Sequence, residues 1–226
     1  GALSWAKSAG GSGEDRVSDV AADPVGGSYV GGVVSNQAPG DVFLLRYDSS
    51  GSLSWAARGG GVSADSLSSL AADSSGAYLA GRFENAATFG TLNLVSAGAS
   101  DAYLVKYSLE GSPLWAKAYG GTGADYGESV SLDGFGNPAL LGHFSDSFIP
   151  AGQTLVSEGD YDLFLVKASA FSGTPVLARS LGSVVREEAR DLSVGSDGSL
   201  YLAGRYVGTS AKLDDKDLTT TGSYGT

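Results

Sequence analysis

The chain of 226 residues repeats itself, and tandem repeats bury their apolar faces by stacking like units on one another. Leu3-Ser4-Trp5-Ala6-Lys7 returns as Leu53-Ser54-Trp55-Ala56-Ala57-Arg58 and as Leu114-Trp115-Ala116-Lys117, with a weaker copy in Val176-Leu177-Ala178-Arg179. A second block runs Asp41-Val42-Phe43-Leu44-Leu45-Arg46-Tyr47, then Asp101-Ala102-Tyr103-Leu104-Val105-Lys106-Tyr107, then Asp162-Leu163-Phe164-Leu165-Val166-Lys167. A third comprises Tyr29-Val30-Gly31-Gly32, Tyr78-Leu79-Ala80-Gly81, Ala139-Leu140-Leu141-Gly142 and Tyr201-Leu202-Ala203-Gly204. The tryptophans stand 50 and then 60 residues apart, and Leu177 follows Trp115 by 62. Four copies therefore fill the chain, at about 1–58, 59–118, 119–180 and 181–226, the last incomplete, with no linker and no second domain.

Each copy reads as four short strands. Apolar runs such as Val42 to Leu45 and Ala102 to Val105 are too short for a helix and fit strands covered on both faces. The connections, among them Asp48-Ser49-Ser50-Gly51 and Asp133-Gly134-Phe135-Gly136, are tight and polar. Asp bonds its own backbone at the start of such a turn, and Gly supplies the positive φ that closes it. Glycine, at 35 residues, is about twice its ordinary share, as a chain of hairpins requires. The first strand of each copy is expected at about 17–22, 67–72, 129–132 and 191–194. Residues 184–192 contain Arg186-Glu187-Glu188-Ala189-Arg190, all good helix formers, which leaves a helical turn at 185–188 as an alternative to the repeat register. A period of 50–62 residues is too long for a solenoid coil and suits the blades of an all-β propeller, each with one long loop.

Composition removes whole classes of function. There is no Cys, hence no disulfide, thiolate metal site or cysteine nucleophile, and a single His excludes multi-histidine metal centres. The net charge of −11 repels nucleic acid and anionic membrane, since no run of Lys or Arg concentrates positive charge along the sequence. No apolar stretch is long enough to span a bilayer and no signal peptide is present, while the absence of an initiator Met points to a processed or excised segment.

Taken jointly, the blocks resemble the bacterial β-propeller repeats usually called SBBP repeats. The resemblance is carried by Asp101 to Tyr107, Gly111, Leu114 to Lys117, Gly120 to Asp125, Leu132-Asp133 and Leu141-Gly142, with similar matches over most of the chain. Leu177 in place of Trp, Glu187 in place of the loop Asp and Gly195 in place of the turn Asp mark a degenerate fourth copy. The resemblance implies a secreted or cell-surface bacterial protein, often part of a longer chain, and no established activity. Because the last copy lacks its Asp-led strand, a partial or open segment of a larger propeller is expected. Its open blade edges would be completed by more chain, by another molecule or by self-association.

Several residues are candidates for chemistry. Asp15, Asp65, Asp125 and Glu187 recur in the Gly-rich loop between copies. They either form an acidic ring for a cation such as calcium or cap backbone N–H groups of their own loops, and the chain has no Asp-x-Asp-x-Asp-Gly cage. Trp5, Trp55 and Trp115 read as blade-packing residues rather than a sugar platform. His143, the lone imidazole, stands where other copies carry Arg82 and Arg205, as a strand residue rather than a base. The segments 35–40, 84–100, 145–161 and 207–226 occupy equivalent places and differ in length, so they are the expected recognition surface. Phe148 and Ile149 in one, and Asp214 and Asp215 in another, are candidate contacts. The expected function is a non-catalytic scaffold binding protein or glycan through that variable-loop face, without a cofactor. A structural subunit of a surface assembly or filament, and a carboxylate-dependent glycan hydrolase, are the alternatives.

Overall fold

Successive polar turns fold the chain back on itself, and the hairpins so formed group into four blades, A to D. The computed structural model describes residues 4–11, 13–35, 40–207, 210–213 and 216–219. Blade A contains β1 (Glu14–Ala22), β2 (Ser28–Ser35), β3 (Asp41–Tyr47) and β4 (Leu53–Gly60), paired antiparallel in that order. Blade B begins with β5 (Ser66–Asp73) and β6 (Gly76–Phe83). It then diverts into a hairpin, β7 (Ala86–Phe89) and β8 (Leu92–Val95), before β9 (Asp101–Ser108) and β10 (Pro113–Tyr119) complete its four-stranded sheet. Blade C repeats the plan with β11 (Asp125–Leu132), β12 (Pro138–Phe144), a short hairpin of β13 (Ser147–Phe148) and β14 (Leu155–Val156), then β15 (Asp162–Ala168) and β16 (Pro175–Leu181). Blade D comprises β17 (Arg186–Val194) paired with β18 (Leu200–Val207), followed by the hairpin β19 (Ser210–Leu213) and β20 (Lys216–Thr219).

The arrangement is a fan. The first strands of consecutive blades touch, β1 on β5, β5 on β11 and β11 on β17, and so form the inner ring of a β-propeller-like fold. Farther out, the gap between blades A and B is bridged by the hairpin: β7 pairs with β4 through Gly59↔Phe89 and Gly60↔Thr88, while β8 packs on β10. The core is divided into three slabs, one per blade junction. Blade B, flanked on both sides, buries every residue of β9 from Asp101 to Tyr107, which accounts for the unbroken apolar run in its sequence. The ring is not closed. On β1, Val17 and Val20 are 66% and 62% exposed, whereas Leu67 and Leu70, their counterparts on β5, are 4% and 6% exposed beneath blade A.

Every inner strand carries a β-bulge at the same place, between Val17 and Asp19, Leu67 and Ser69, Gly127 and Ser129, and Ala189 and Asp191. The residue after the bulge reaches across to the next blade. Asp19 Oδ2 accepts from Leu70 N–H at 2.7 Å, Ser69 Oγ from Val130 N–H at 3.2 Å, and Ser129 Oγ from Leu192 N–H at 3.1 Å. An inner strand is the edge of its own sheet, so its outward N–H groups need partners, and the neighbouring blade supplies them.

Two expectations are corrected. Residues 186–194 form a strand, and no helical turn occurs at 185–188. Strand pairing with β18 and the meeting of Arg186, Glu188 and Arg190, two residues apart on an extended chain, outweigh local helix propensity. The inner strands also begin earlier than expected, which places Asp15, Asp125 and Glu187 within strands and Asp65 immediately before one, rather than in open loops. The cause is a bond from each of the later three to the preceding blade: Asp65 N–H to Gly40 O (3.2 Å), Asp125 N–H to Ser100 O (2.8 Å) and Glu187 N–H to Tyr161 O (2.8 Å).

Candidate functional site

The four recurring carboxylates bond within their own loops. Each folds back over its own inter-blade loop: Asp15, Asp65 and Asp125 accept the N–H of Gly11, Gly61 and Gly121, four residues upstream, and Glu187 accepts the Ser183 hydroxyl at 2.8 Å. The Asp that opens the third strand of the preceding blade sits beside it. Asp125 Oδ2 and Asp101 Oδ1 lie 2.5 and 2.8 Å from where a Gly120 Cβ would stand, and Asp65 Oδ2 and Asp41 Oδ1 lie 2.8 and 2.9 Å from that of Gly60. Glycine is required there because two carboxylates occupy the space a side chain would take. Burial, with the neighbouring carboxylate adding to it, pushes Asp65 up to about 6 and Asp125 up to about 7, and Glu187 also rises to about 7.

Asp65, Asp125 and Glu187 stand one at each of the three blade junctions, and Asp15 stands at the open side of blade A. Among the described residues no group of three or more His, Cys, Asp and Glu comes together. The paired carboxylates are also closed to substrate, Asp101 being 2% and Asp125 0% exposed.

The tryptophans lock one blade to the next. Trp5, Trp55 and Trp115 lie over Gly51, Gly111 and Gly173, turn glycines with φ of 78°, 82° and 66°. A side chain there would be strained by the backbone and would strike the indole. Trp55 Nε1 donates to Leu109 O at 2.7 Å and Trp115 Nε1 to Ala170 O at 3.1 Å, each on a turn of the following blade. Phe148, expected as a contact, is only 5% exposed and joins the core between blades B and C, with its ring 5.2 Å from Phe144 and 5.3 Å from Phe164. Ile149 is 67% exposed and lines a small cavity with Tyr119 and Pro175. Asp214 and Asp215 lie outside the described residues. The long segments 84–100 and 145–161 fold as hairpins that close the outer rim, so much of the expected recognition surface is framework.

What varies instead is a pair of positions at one end of the inner strands, next to the recurring carboxylates. The cross-strand pairs are Arg16↔Val33 in blade A, Ser66↔Arg82 in B, Tyr126↔His143 in C and Glu188↔Arg205 in D. The carboxylate before each pair and the glycine at Gly32, Gly81, Gly142 and Gly204 recur, whereas Arg16, Ser66, Tyr126 and Glu188 all differ and only two of their four partners are alike. Glu188 is nearly buried and receives three guanidiniums, Arg205 Nε at 2.8 Å, Arg190 Nη2 at 2.8 Å and Arg186 Nε at 2.9 Å. Hydrogen bonds from Arg205, together with the charges around it, hold its carboxyl down at about 2. His143 stacks on Tyr126 with ring centroids 4.6 Å apart, and Tyr161 meets it edge-on at 5.3 Å. Burial pushes His143 down to about 4, so it is neutral at ordinary pH. Arg82 lies over the Tyr126 ring at 4.9 Å and Arg186 over Tyr161 at 4.9 Å.

The inner strands and the strands paired with them thus gather Arg16, Arg82, Arg186, Arg190 and Arg205, five of the chain's eight arginines, although the sequence holds no basic run. Between blades A and B this end opens into a cleft of about 490 Å³, whose walls carry Arg16, Arg82, Ser18, Ser35, Ser66 and Asp65. The expectation that basic charge is dispersed is corrected by stacking: residues about 60 apart in sequence become neighbours on the ring. The signal in the sequence was the recurrence of arginine at Arg82 and Arg205 and the lack of any recurrence at Arg16, Ser66, Tyr126 and Glu188.

No protein-family model matches the chain. It is similar to an uncharacterized WD repeat-containing protein, L264, of Acanthamoeba polyphaga mimivirus, with 26% identity over 152 residues, covering 60% of this chain and 11% of that protein. The chain therefore spans about a tenth of that relative's length. WD repeats build four-stranded propeller blades, so the likeness agrees with the fan of antiparallel sheets.

Proposed function

We propose that this chain is an interaction scaffold of a secreted or cell-surface bacterial protein, binding a protein partner through the inner-strand end of the fan. The bacterial exterior rests on the resemblance to SBBP repeats. The observation that carries the binding reading is the contrast between repeated and unrepeated positions. Repeated Trp, Asp and Gly residues are consumed in blade packing, while Arg16, Ser66, Tyr126 and Glu188 all differ at equivalent places, and their cross-strand partners are Val33, Arg82, His143 and Arg205. Different side chains on a common rigid frame are how recognition surfaces are built. Protein is favoured over glycan because the recurring tryptophans are committed to packing, Trp55 and Trp115 over turn glycines, and the Tyr126 ring at the site is already stacked on His143.

The test uses substitutions the frame already tolerates: Arg16→Ser and Tyr126→Ser, as at Ser66, together with Arg82→Val, as at Val33. Affinity capture with the immobilised chain, quantified by mass spectrometry, is expected to enrich partners with the parent and to lose them with the triple variant at an unchanged melting temperature. Equal capture by both chains, or none by the parent, contradicts the reading.

A further inference from the structure

We propose that the cleft between blades A and B, at Arg16 and Arg82, binds a carboxylate side chain of an acidic peptide segment laid along the inner strands. The proposal deepens the scaffold reading and rests on it. Among the described residues neither Arg16 nor Arg82 forms an ion pair, whereas Arg46, Arg58, Arg186, Arg190 and Arg205 each have a carboxylate within 2.9 Å. In a chain with an excess of 11 negative charges, two arginines left without a carboxylate on opposite walls of one concavity stand out. The flat face of Arg82 is held 4.9 Å above Tyr126, which orients the guanidinium while leaving its N–H edges for a ligand. Ser18, Ser35 and Ser66 add hydroxyls around the same space, and its volume of about 490 Å³ lies within the range of ligand pockets.

Two features choose a peptide carboxylate among anions. Glu14 and Asp65 also line the cleft, so two positive groups are set against two acidic ones, which suits a single negative charge and disfavours a phosphate or sulfate dianion. The lining follows two strands, from Glu14 to Ser18 on β1 and from Ala64 to Leu67 at the start of β5, so the cleft is elongated along them and suits an extended chain better than a compact anion.

The experiment is fluorescence anisotropy of the full 226-residue chain with a labelled peptide of alternating glutamate and alanine. Saturable binding that weakens as salt rises, falls at least tenfold in the Arg16→Gln, Arg82→Gln double variant and is unchanged in Arg179→Gln, an exposed arginine on β16, is the expected result. Equal binding by the double variant, or equal binding of the same peptide with glutamine for glutamate, overturns the assignment. Binding of a heparin tetrasaccharide instead of the peptide, lost in the double variant, also overturns it and makes the cleft a site for anionic glycan. Absence of peptide binding while the parent still captures partners that the triple variant loses sinks the cleft assignment and leaves the scaffold standing. Because Arg16 is exposed and Arg82 carries no ion pair, the double variant is expected to keep the parental circular dichroism and melting temperature.

Discussion

Each blade junction turns on a few side chains whose value can be measured. Trp115 is 6% exposed, packs against Gly173 and Tyr78, and bonds Ala170 O, all at once. Trp115→Ala is expected to cost about 3–5 kcal/mol through the cavity it leaves. Trp115→Phe keeps most of the packing and is expected to cost far less, nearer the ~1 kcal/mol of a lost hydrogen bond plus some packing; chemical denaturation distinguishes the two. The buried carboxylates impose a pH dependence of definite sign. Asp65, Asp125 and Glu187 hold protons up to about 6, 7 and 7, whereas in the unfolded chain they release them near the ordinary carboxylate range. The folded state therefore binds more protons between about pH 4 and 7, and the stability they contribute is lost as pH rises through that window. His143, held down at about 4, works the other way below its ordinary value near 6.5, but it is one group against three. A tenfold difference in proton affinity is worth about 1.4 kcal/mol, so the melting temperature is expected to be several degrees higher at pH 5.5 than at pH 8. Asp125→Asn is expected to flatten that slope, and a melting temperature that rises from pH 5.5 to 8 contradicts the account. The positions of these carboxylates were legible because they repeat. Their chemistry was not, because repetition cannot distinguish an open loop from a buried one. Arg16 escaped notice for the opposite reason, since it stands where the copies disagree, and Arg82 was legible only as the counterpart of His143 and Arg205.

At the level of elements, the hairpin of β7 and β8 is the part least like an ordinary loop. Its entry residue Asn85 sits at φ 58°, and Asp146 takes φ 61° at the same point in blade C, so both excursions begin with the same left-handed kink. Asn and Asp tolerate that conformation better than other side chains. Ala87, Phe89 and Leu94 then enter the core between blades A and B, and the Phe89 ring lies 4.9 Å from that of Tyr103. Segment 84–100 was read as freely varying because its sequence differs from the other copies. The structure shows that lengths can vary while the task, spanning two outer strands, stays the same. Phe89→Ala is expected to cost about 3–5 kcal/mol, as for a core phenylalanine, where a free binding loop would cost almost nothing. An unfolding free energy within 0.5 kcal/mol of the parent would remove the hairpin from the framework.

For the whole molecule, stability is a sum over junctions between neighbours, so it cannot be uniform. Blades B and C are packed on both faces, whereas β1 leaves Val17 and Val20 exposed and β18 leaves Tyr201 and Val207 63% and 53% exposed. Amide exchange is expected to be slowest in β9 and β12, which are buried along nearly their whole length, and fastest in β1 and β18; equal protection across all four blades would mean cooperative unfolding rather than loss from the ends. The amino-acid sequence by itself determined the unit and its multiplicity: four copies, hairpin connections, Trp and Asp at fixed places, and strands covered on both faces. Those are local matters of spacing, turn chemistry and burial, and each copy carries them independently. Only the tertiary structure decided what the copies make together. The convergence of five arginines, the closing of long loops over the rim and the cleft at Arg16 and Arg82 arise from contacts between residues tens of positions apart. Their distances are set by the angle at which one blade stacks on the next, a quantity that no single repeat contains.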